Sequence, residues 1–219
     1  MTMAVAGTRT TIATGSRSAK SSGDHERMAC GDAPRPPVRL HLIDRAGLSI
    51  ETRNEMMREA IAPWRAADAS VAWVAEFPSR PAGLGEPQAL YVFVEADAGE
   101  TTDGPHLPMA SILFVDGHPT THITVHAGHV ARRLAGVRLD DLPFAERPRL
   151  IRDLVLGRVL GRVVAHEVGH FLLRSREHAP SGLMRASHRI EHLLEADHPM
   201  FRLVAPAIPP CLVARTERK

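Results

Sequence analysis

Two histidines and a glutamate stand close together in the chain, at His166, Glu167 and His170. Histidines four positions apart on a helix project from the same face, one turn apart. Their imidazoles can therefore bind one ion, at about 2.0–2.1 Å each if the ion is zinc. Glu167 stands beside the first histidine, where it can carry a proton more easily than it can bind the metal. The spacing predicts hydrolysis assisted by Zn²⁺, with Glu167 as general base and acid.

The residues around this motif predict that it lies inside a long helix over residues 148–173. Apolar side chains recur there at helical spacing, from Ile151 and Leu154 to Val159 and Val163. Charged and polar side chains in an apolar helix are costly unless they are paired or bound to a metal. The helical context therefore favours a functional site over a chance match to the motif.

A catalytic zinc site needs a third protein ligand, and the sequence offers two kinds. His178 stands eight residues after His170, whereas Glu191 and Glu195 stand further along the chain. We interpret His178 as the third metal ligand, together with His166 and His170. Glu191 or Glu195 is the alternative.

The elements that must position these residues follow from the spacing of apolar side chains. Alternating or continuous apolar runs predict five strands, of which the third is apolar on both faces and therefore central. A helix capped by Ser49 follows the first strand and is predicted to end or bend at Pro63. The predicted strands cover residues 38–43, 71–74, 89–94, 111–115 and 121–126, and two later helices cover 129–135 and 148–173. Strands followed by helices predict an α+β fold with a mixed sheet.

A methionine, Met184, follows the third histidine within a Gly-Leu-Met sequence. This arrangement resembles the metzincin zinc metallopeptidases, in which a third histidine and a methionine-containing turn follow HExxH. It looks closest to a divergent bacterial type with Leu-Leu after the second histidine and a later third histidine. The resemblance implies a twisted mixed sheet, a long active-site helix and a structural Met-turn at Met184. It also implies an endopeptidase, with an extended substrate adding as a strand beside residues 111–115.

The chain departs from that family at three positions. Leu173 stands where the family has a glycine, and Arg176 stands where it has the third histidine. Without glycine a left-handed turn at residue 173 is costly, so we expect residues 174–176 to lengthen the last helical turn or to form a wider loop. No tyrosine follows Met184, so stabilisation of the carbonyl oxygen would fall to the metal, with help from His188.

Composition limits the remaining possibilities. The chain has 219 residues, is 44% hydrophobic and carries a formal net charge of +2, which fits one globular domain with tails. The domain is predicted over residues 37–202, between a disordered tail at 1–36 and a second tail at 203–219. Basic residues are scattered, which argues against nucleic acid as a partner. No run approaches the roughly 20 apolar residues that span a bilayer, so the expected partner is a peptide or protein substrate.

The N-terminal sequence and the cysteines bear on the compartment. Residues 1–20 lack the continuous apolar segment of a signal peptide, which favours the cytoplasm unless the true start lies elsewhere and the protein is secreted. Cys30 and Cys211 have no metal-binding spacing. They are two free thiols, or one bond between the tails if the compartment is oxidising.

The sequence is also compatible with other classes of protein. A non-catalytic metal-binding domain would keep the histidines, although a structural zinc site closes its fourth position with another ligand. A gluzincin-type regulatory peptidase would use Glu191 as its third ligand. A regulatory protein with a single partner would cleave that partner rarely or never.

Overall fold

The computed structural model describes residues 37–67, 69–75, 88–96 and 108–195. The two predicted tails, with Cys30 and Cys211, lie outside these residues. In chain order the elements are β1 (Val38–Asp44), α1 (Ile50–Ala66), β2 (Val71–Trp73), β3 (Gln88–Glu95), β4 (Ala110–Val115), β5 (His118–His126), α2 (Ala127–Ala135), β6 (Arg138–Leu139), β7 (Leu142–Pro143), one 3-10 turn (Phe144–Glu146), α3 (Arg149–Leu173) and α4 (Ile190–Leu194). None of these helices combines the length and the apolar character needed to cross a membrane.

Five strands form one mixed sheet in the order β2-β1-β3-β5-β4. β1 pairs in parallel with β2 and β3, and β3 pairs in parallel with β5. β4 runs antiparallel to β5 and forms an edge of the sheet. The α+β class with a mixed sheet is therefore confirmed, as is the central position of the third strand.

A two-residue turn at Asp116 and Gly117 connects β4 to β5. Both residues have positive φ angles, 49° and 79°, as a type I′ hairpin turn requires. The turn places Val115 opposite His118, and the pairing shifts register between Ile112 and Phe114. This irregularity lies in the part of β4 that borders the candidate site.

The helices α1 and α3 pack closely because α3 carries glycines at the contact. A Cβ added at Gly157 would lie 2.5 Å from the Thr52 carbonyl oxygen, and one at Gly161 would lie 2.5 Å from Glu59 Cβ. Neither position has room for a side chain. The close contact fixes the second half of α3, which carries the motif, against the hydrophobic core.

A buried ion pair adds to this contact. Arg162 is only 3% exposed, and its Nε donates a hydrogen bond to Glu59 Oε2 at 3.0 Å. Its Nη1 donates to the carbonyl oxygens of His192 and Leu193, at 3.2 Å and 3.1 Å. The guanidinium therefore joins α1, α3 and α4 one turn before the motif.

The sequence predicts that the first helix ends or bends at Pro63. The first alternative is wrong, because α1 continues to Ala66. Trp64 is fully buried, and burying so large an apolar side chain stabilises the fold by about 1.5–3 kcal/mol or more. The Trp64 carbonyl oxygen also accepts hydrogen bonds from the N–H groups of Ala67 and Ala69. The predicted cap is confirmed, since Ser49 Oγ accepts a hydrogen bond from Thr52 N at 3.1 Å.

We expect Gly161→Ala to lower the free energy of unfolding by about 1–3 kcal/mol, because the new methyl group has to fit into a filled helix contact. Urea denaturation followed by tryptophan fluorescence measures this change. Gly136→Ala is the matched control, since its Cβ would meet only the Arg133 carbonyl oxygen, at 3.9 Å. That control should be neutral or stabilising by up to about 1 kcal/mol. Equal effects of the two substitutions would contradict the packing argument.

Candidate metal centre

The structure brings together the three histidines that the sequence analysis selected. His166 and His170 lie in the last two turns of α3, and His178 lies in the segment that follows the helix. One ligand atom from each lies within 4.8 Å of the others. Within the described ranges, no other group of three or more histidine, cysteine or acidic side chains comes together in this way. The three imidazoles could therefore hold a metal ion.

Two backbone carbonyl groups orient the imidazoles of the helix. His166 Nδ1 lies 2.8 Å from the Leu183 carbonyl oxygen, and His170 Nδ1 lies 2.7 Å from that of Ser175. A carbonyl oxygen accepts only, so each Nδ1 carries the proton and each Nε2 carries a lone pair. Metal-binding histidines usually have such a partner on the second nitrogen, which fixes the tautomer and the ring orientation.

The two Nε2 atoms face each other across a short distance. Nε2 of His166 lies 3.0 Å from Nε2 of His170, compared with about 3.3 Å for two nitrogen ligands of a tetrahedral zinc ion. Two facing lone pairs repel unless a proton or a cation lies between them. Imidazole nitrogens are also ligands that zinc accepts readily. The donor atoms and their spacing therefore fit a zinc ion.

Burial keeps these histidines neutral. It lowers the pKa of His166 to about 4 and also lowers the pKa of His170, because a charged imidazolium loses its hydration there. The hydrogen bonds to Leu183 and Ser175 oppose the shifts without reversing them. The neutral imidazole is the form that binds a metal, so both side chains are ready for it at neutral pH.

Glu167 lies in the same cleft with little access to solvent. The residue is 8% exposed, and burial raises the pKa of the Glu167 carboxyl group to about 7. A hydrogen bond with the backbone of Ile112, on the edge strand β4, opposes that shift. A carboxyl group with a pKa near neutrality can both accept and return a proton under physiological conditions.

The site opens into a cleft of about 510 Å³. One wall is β4, through Ser111, Ile112 and Phe114, and the other includes residues 185–188. Phe114 also touches the site itself, with its ring edge-on to His170 at a centroid distance of 6.3 Å. The metal position would therefore be reached from the cleft.

The chain leaves α3 through a left-handed residue, although no glycine is present. The helix ends at Leu173 and Arg174 has a φ of 50°. The left-handed turn therefore lies one residue after Leu173, the position at which the metzincin family has its glycine. Residues 174–176 form the wider loop and do not lengthen the helix. A left-handed non-glycine residue costs about 1–2 kcal/mol. The N–H of Ser175 offsets part of this by donating to the His170 carbonyl oxygen at 3.3 Å.

Met184 lies directly beneath the motif helix. The residue is 5% exposed, and a Cβ added at Gly169 would overlap its Sδ atom. The turn that carries it is closed by a hydrogen bond from Ala179 N to the Met184 carbonyl oxygen at 2.8 Å, with Gly182 at a φ of 79°. Met184 therefore holds the turn whose Leu183 carbonyl group orients His166.

The alternative carboxylate ligands do not join the histidines. Glu191 is exposed, and its Oε2 lies 3.4 Å from Nε of Arg189. Glu195 is exposed and is not part of the histidine group. His188 does line the cleft, with Nε2 3.2 Å from the Leu183 carbonyl oxygen and its ring 6.1 Å from that of His166.

Several contributors to the site were not predicted. The carbonyl groups of Leu183 and Ser175 leave no signal in the sequence, because every residue has a backbone carbonyl. The contact of Ile112 with Glu167 depends on the register of β4, which the alternation of apolar residues suggests only in part.

No protein-family model matches the chain, and the search of curated proteins found no relative. The assignment of a function therefore depends on the geometry of the site.

We expect about one zinc ion per chain when the purified protein is analysed for metals, because three imidazoles converge. His178→Ala should weaken zinc binding by more than about 100-fold, which exceeds the usual effect of losing an outer partner of a ligand. Glu191→Ala is the control and should leave zinc binding unchanged. A folded wild type that takes up no zinc, or a larger loss with Glu191→Ala, would contradict the three-histidine site.

Gly169→Ala is expected to lower the free energy of unfolding by about 1–3 kcal/mol, because its methyl group overlaps the Met184 side chain. The double variant Gly169→Ala with Met184→Ala should lose less than the sum of the two single variants, since shortening Met184 makes room. Urea denaturation of the four proteins gives the coupling free energy. Simple additivity would show that the two side chains do not depend on each other.

Proposed function

We propose that the protein is a zinc-dependent endopeptidase of the metzincin-like type. The observation that carries this proposal is the convergence of His166, His170 and His178 within 4.8 Å, beside the buried Glu167, in an open cleft. A purely structural zinc site would close its fourth position with a protein ligand. Among the described residues, no cysteine or carboxylate belongs to the group. An accessible fourth position is what a hydrolytic site needs.

In this proposal His166, His170 and His178 hold the zinc ion. When bound, zinc lowers the pKa of water toward about 7 and polarises a carbonyl group. The chain's own residues prepare for it, since the carbonyl groups of Leu183 and Ser175 keep the Nδ1 protons in place. Each Nε2 is then free to act as a ligand.

Glu167 carries the proton of the reaction. Its carboxylate accepts a proton as the oxygen atom of water attacks the peptide carbonyl carbon. It returns that proton to the peptide nitrogen as the C–N bond breaks, so that a carboxylic acid and an amine leave the cleft. The burial of Glu167 beside His166 and its hydrogen bond with the backbone of Ile112 support this role.

The edge strand β4 is proposed to bind the substrate backbone. Among the described strands it pairs with β5 alone, and alternate residues such as Ser111 and Leu113 are exposed. An extended peptide can add to such an edge through main-chain hydrogen bonds. The cleft-lining residues Ile112 and Phe114 would then lie against the peptide, near Glu167 and His170.

The turn at Met184 is proposed to serve as the Met-turn of this family type. The support for this role is that the Met184 side chain is buried against Gly169, a residue of the motif. The same side chain also contributes to the core, so packing and positioning of the site depend on one residue.

Glu167→Gln is expected to lower kcat/KM on an unfolded protein substrate by about 10²–10⁴-fold, because it removes the proton carrier. It removes no metal ligand, so the zinc content should equal that of the wild type. The measurement pairs a fluorescent casein assay with elemental analysis. Glu177→Gln is the matched control, since Glu177 is exposed and does not line the cleft, and it should keep wild-type activity. Unchanged turnover in Glu167→Gln would contradict the proposed role of Glu167 as proton carrier.

A further inference from the structure

Three arginines of the cleft have no acidic partner among the described residues. Arg133 comes from the last turn of α2, Arg176 precedes His178, and Arg185 follows Met184. Arginines elsewhere often form ion pairs, as Arg45 does with Glu95, Arg53 with Asp44 and Arg147 with Asp140. The three cleft arginines therefore keep their charge available for a ligand.

The walls of the cleft contain little negative charge to balance these arginines. Among the described residues that line it, Glu167 is the only acidic one. A fourth arginine, Arg162, also reaches the cleft, but it pairs with Glu59. A cleft lined by one sign of charge concentrates ligands of the opposite sign.

Arg176 is held in place beside the candidate catalytic residues. Its Cζ lies 4.7 Å from the centroid of the Phe114 ring, a stacking distance for a cation on an aromatic face. Its Nη2 lies 3.5 Å from the Phe114 carbonyl oxygen. Phe114 is the residue whose ring touches His170. The guanidinium is thus oriented before any ligand arrives, at the end of the edge strand nearest the histidines.

A fixed guanidinium binds a carboxylate better than a mobile cation does. Its planar N–H groups match the two oxygens of Asp or Glu, and less side-chain freedom is lost on binding because Phe114 already restrains it. A lysine or arginine of a substrate in the same place would be repelled. The arrangement therefore discriminates by charge as well as by shape.

We propose that the cleft selects peptides with Asp or Glu side chains close to the scissile bond, with Arg176 as the main specificity-determining residue and Arg133 and Arg185 adding to the field. This inference rests on the proposed peptidase function, because the position of the acidic side chains is given relative to the bond that a peptidase cleaves. Its binding half can be measured without turnover, so the two can fail separately.

The first test measures binding to the full-length Glu167→Gln protein, loaded with zinc, by fluorescence anisotropy. The probes are three fluorescein-labelled ten-residue peptides that differ only at alternate positions, which carry Glu and Asp, Gln and Asn, or Lys. We expect the acidic peptide to bind about 10-fold more tightly than its amide counterpart at low salt, and this advantage to shrink at high salt. Equal binding of the acidic and amide peptides would overturn the proposal.

Charge reversal locates the effect. Arg176→Glu should abolish the preference for the acidic peptide, and Arg185→Glu should reduce it. Arg152→Glu makes the same change of charge on an exposed residue of α3 that does not line the cleft, and it should keep the preference. Circular dichroism melting curves check that each variant is folded. An equal loss of preference in Arg152→Glu would show that only net charge matters and would overturn the assignment to Arg176.

The second test digests a library of proteome-derived peptides with the zinc-loaded wild type and reads the cleavage sites by mass spectrometry. Acidic residues enriched beside the cleaved bonds would support the proposal. Cleavage with no such enrichment would overturn it and leave the peptidase function standing. Selective binding of the acidic peptide without any cleavage would support the charge selection and contradict the peptidase function.

Tighter binding of a single-stranded oligonucleotide of the same charge would overturn the choice of peptides as ligand.

Discussion

Two hydrogen bonds from imidazole Nδ1 groups to backbone carbonyl groups are the constraint on which the site depends. They join His166 to Leu183 and His170 to Ser175, and they hold the two Nε2 atoms 3.0 Å apart. Lone pairs at that distance need a cation or a proton between them. The left-handed residue Arg174 has its place in this arrangement, because the turn there brings the Ser175 carbonyl group back toward the helix.

The helix that carries the motif is itself fixed by contacts in the turns just before the motif. Gly157 and Gly161 let α1 approach, and Arg162 joins α1 to α4 through Glu59 and two carbonyl oxygens. A buried ion pair loses hydration and so contributes little stability of its own. Its several hydrogen bonds nevertheless define one arrangement of the three helices. At about 100° per residue, Gly157 and Gly161 face away from His166 and His170. The helix α3 therefore packs against α1 on one side and presents the histidines on another.

Burial has opposite effects on the charges of the two kinds of residue in the cleft. It removes charge from His166 and His170 by lowering their pKa values, and it favours the protonated form of Glu167 by raising its pKa. Both effects follow from the loss of hydration of the charged form. The arginines at the cleft walls, such as Arg176 and Arg185, add positive charge. The electrostatic character of the cleft therefore depends on residues outside the HExxH motif as well as on those within it.

Local features of the protein follow from its sequence alone. The strands, the long helix, the Ser49 cap and the shared helical face of His166 and His170 follow from apolar spacing and capping chemistry between near neighbours. The tertiary structure decided that α1 continues past Pro63, where burial of Trp64 outweighs a lost hydrogen bond, and that His178 rather than Glu191 meets the other two histidines. It also decided which carbonyl groups orient the imidazoles and which arginines line the cleft. These outcomes depend on how the chain folds back after α3, and backbone groups are alike at every residue, so no local pattern of side chains encodes them.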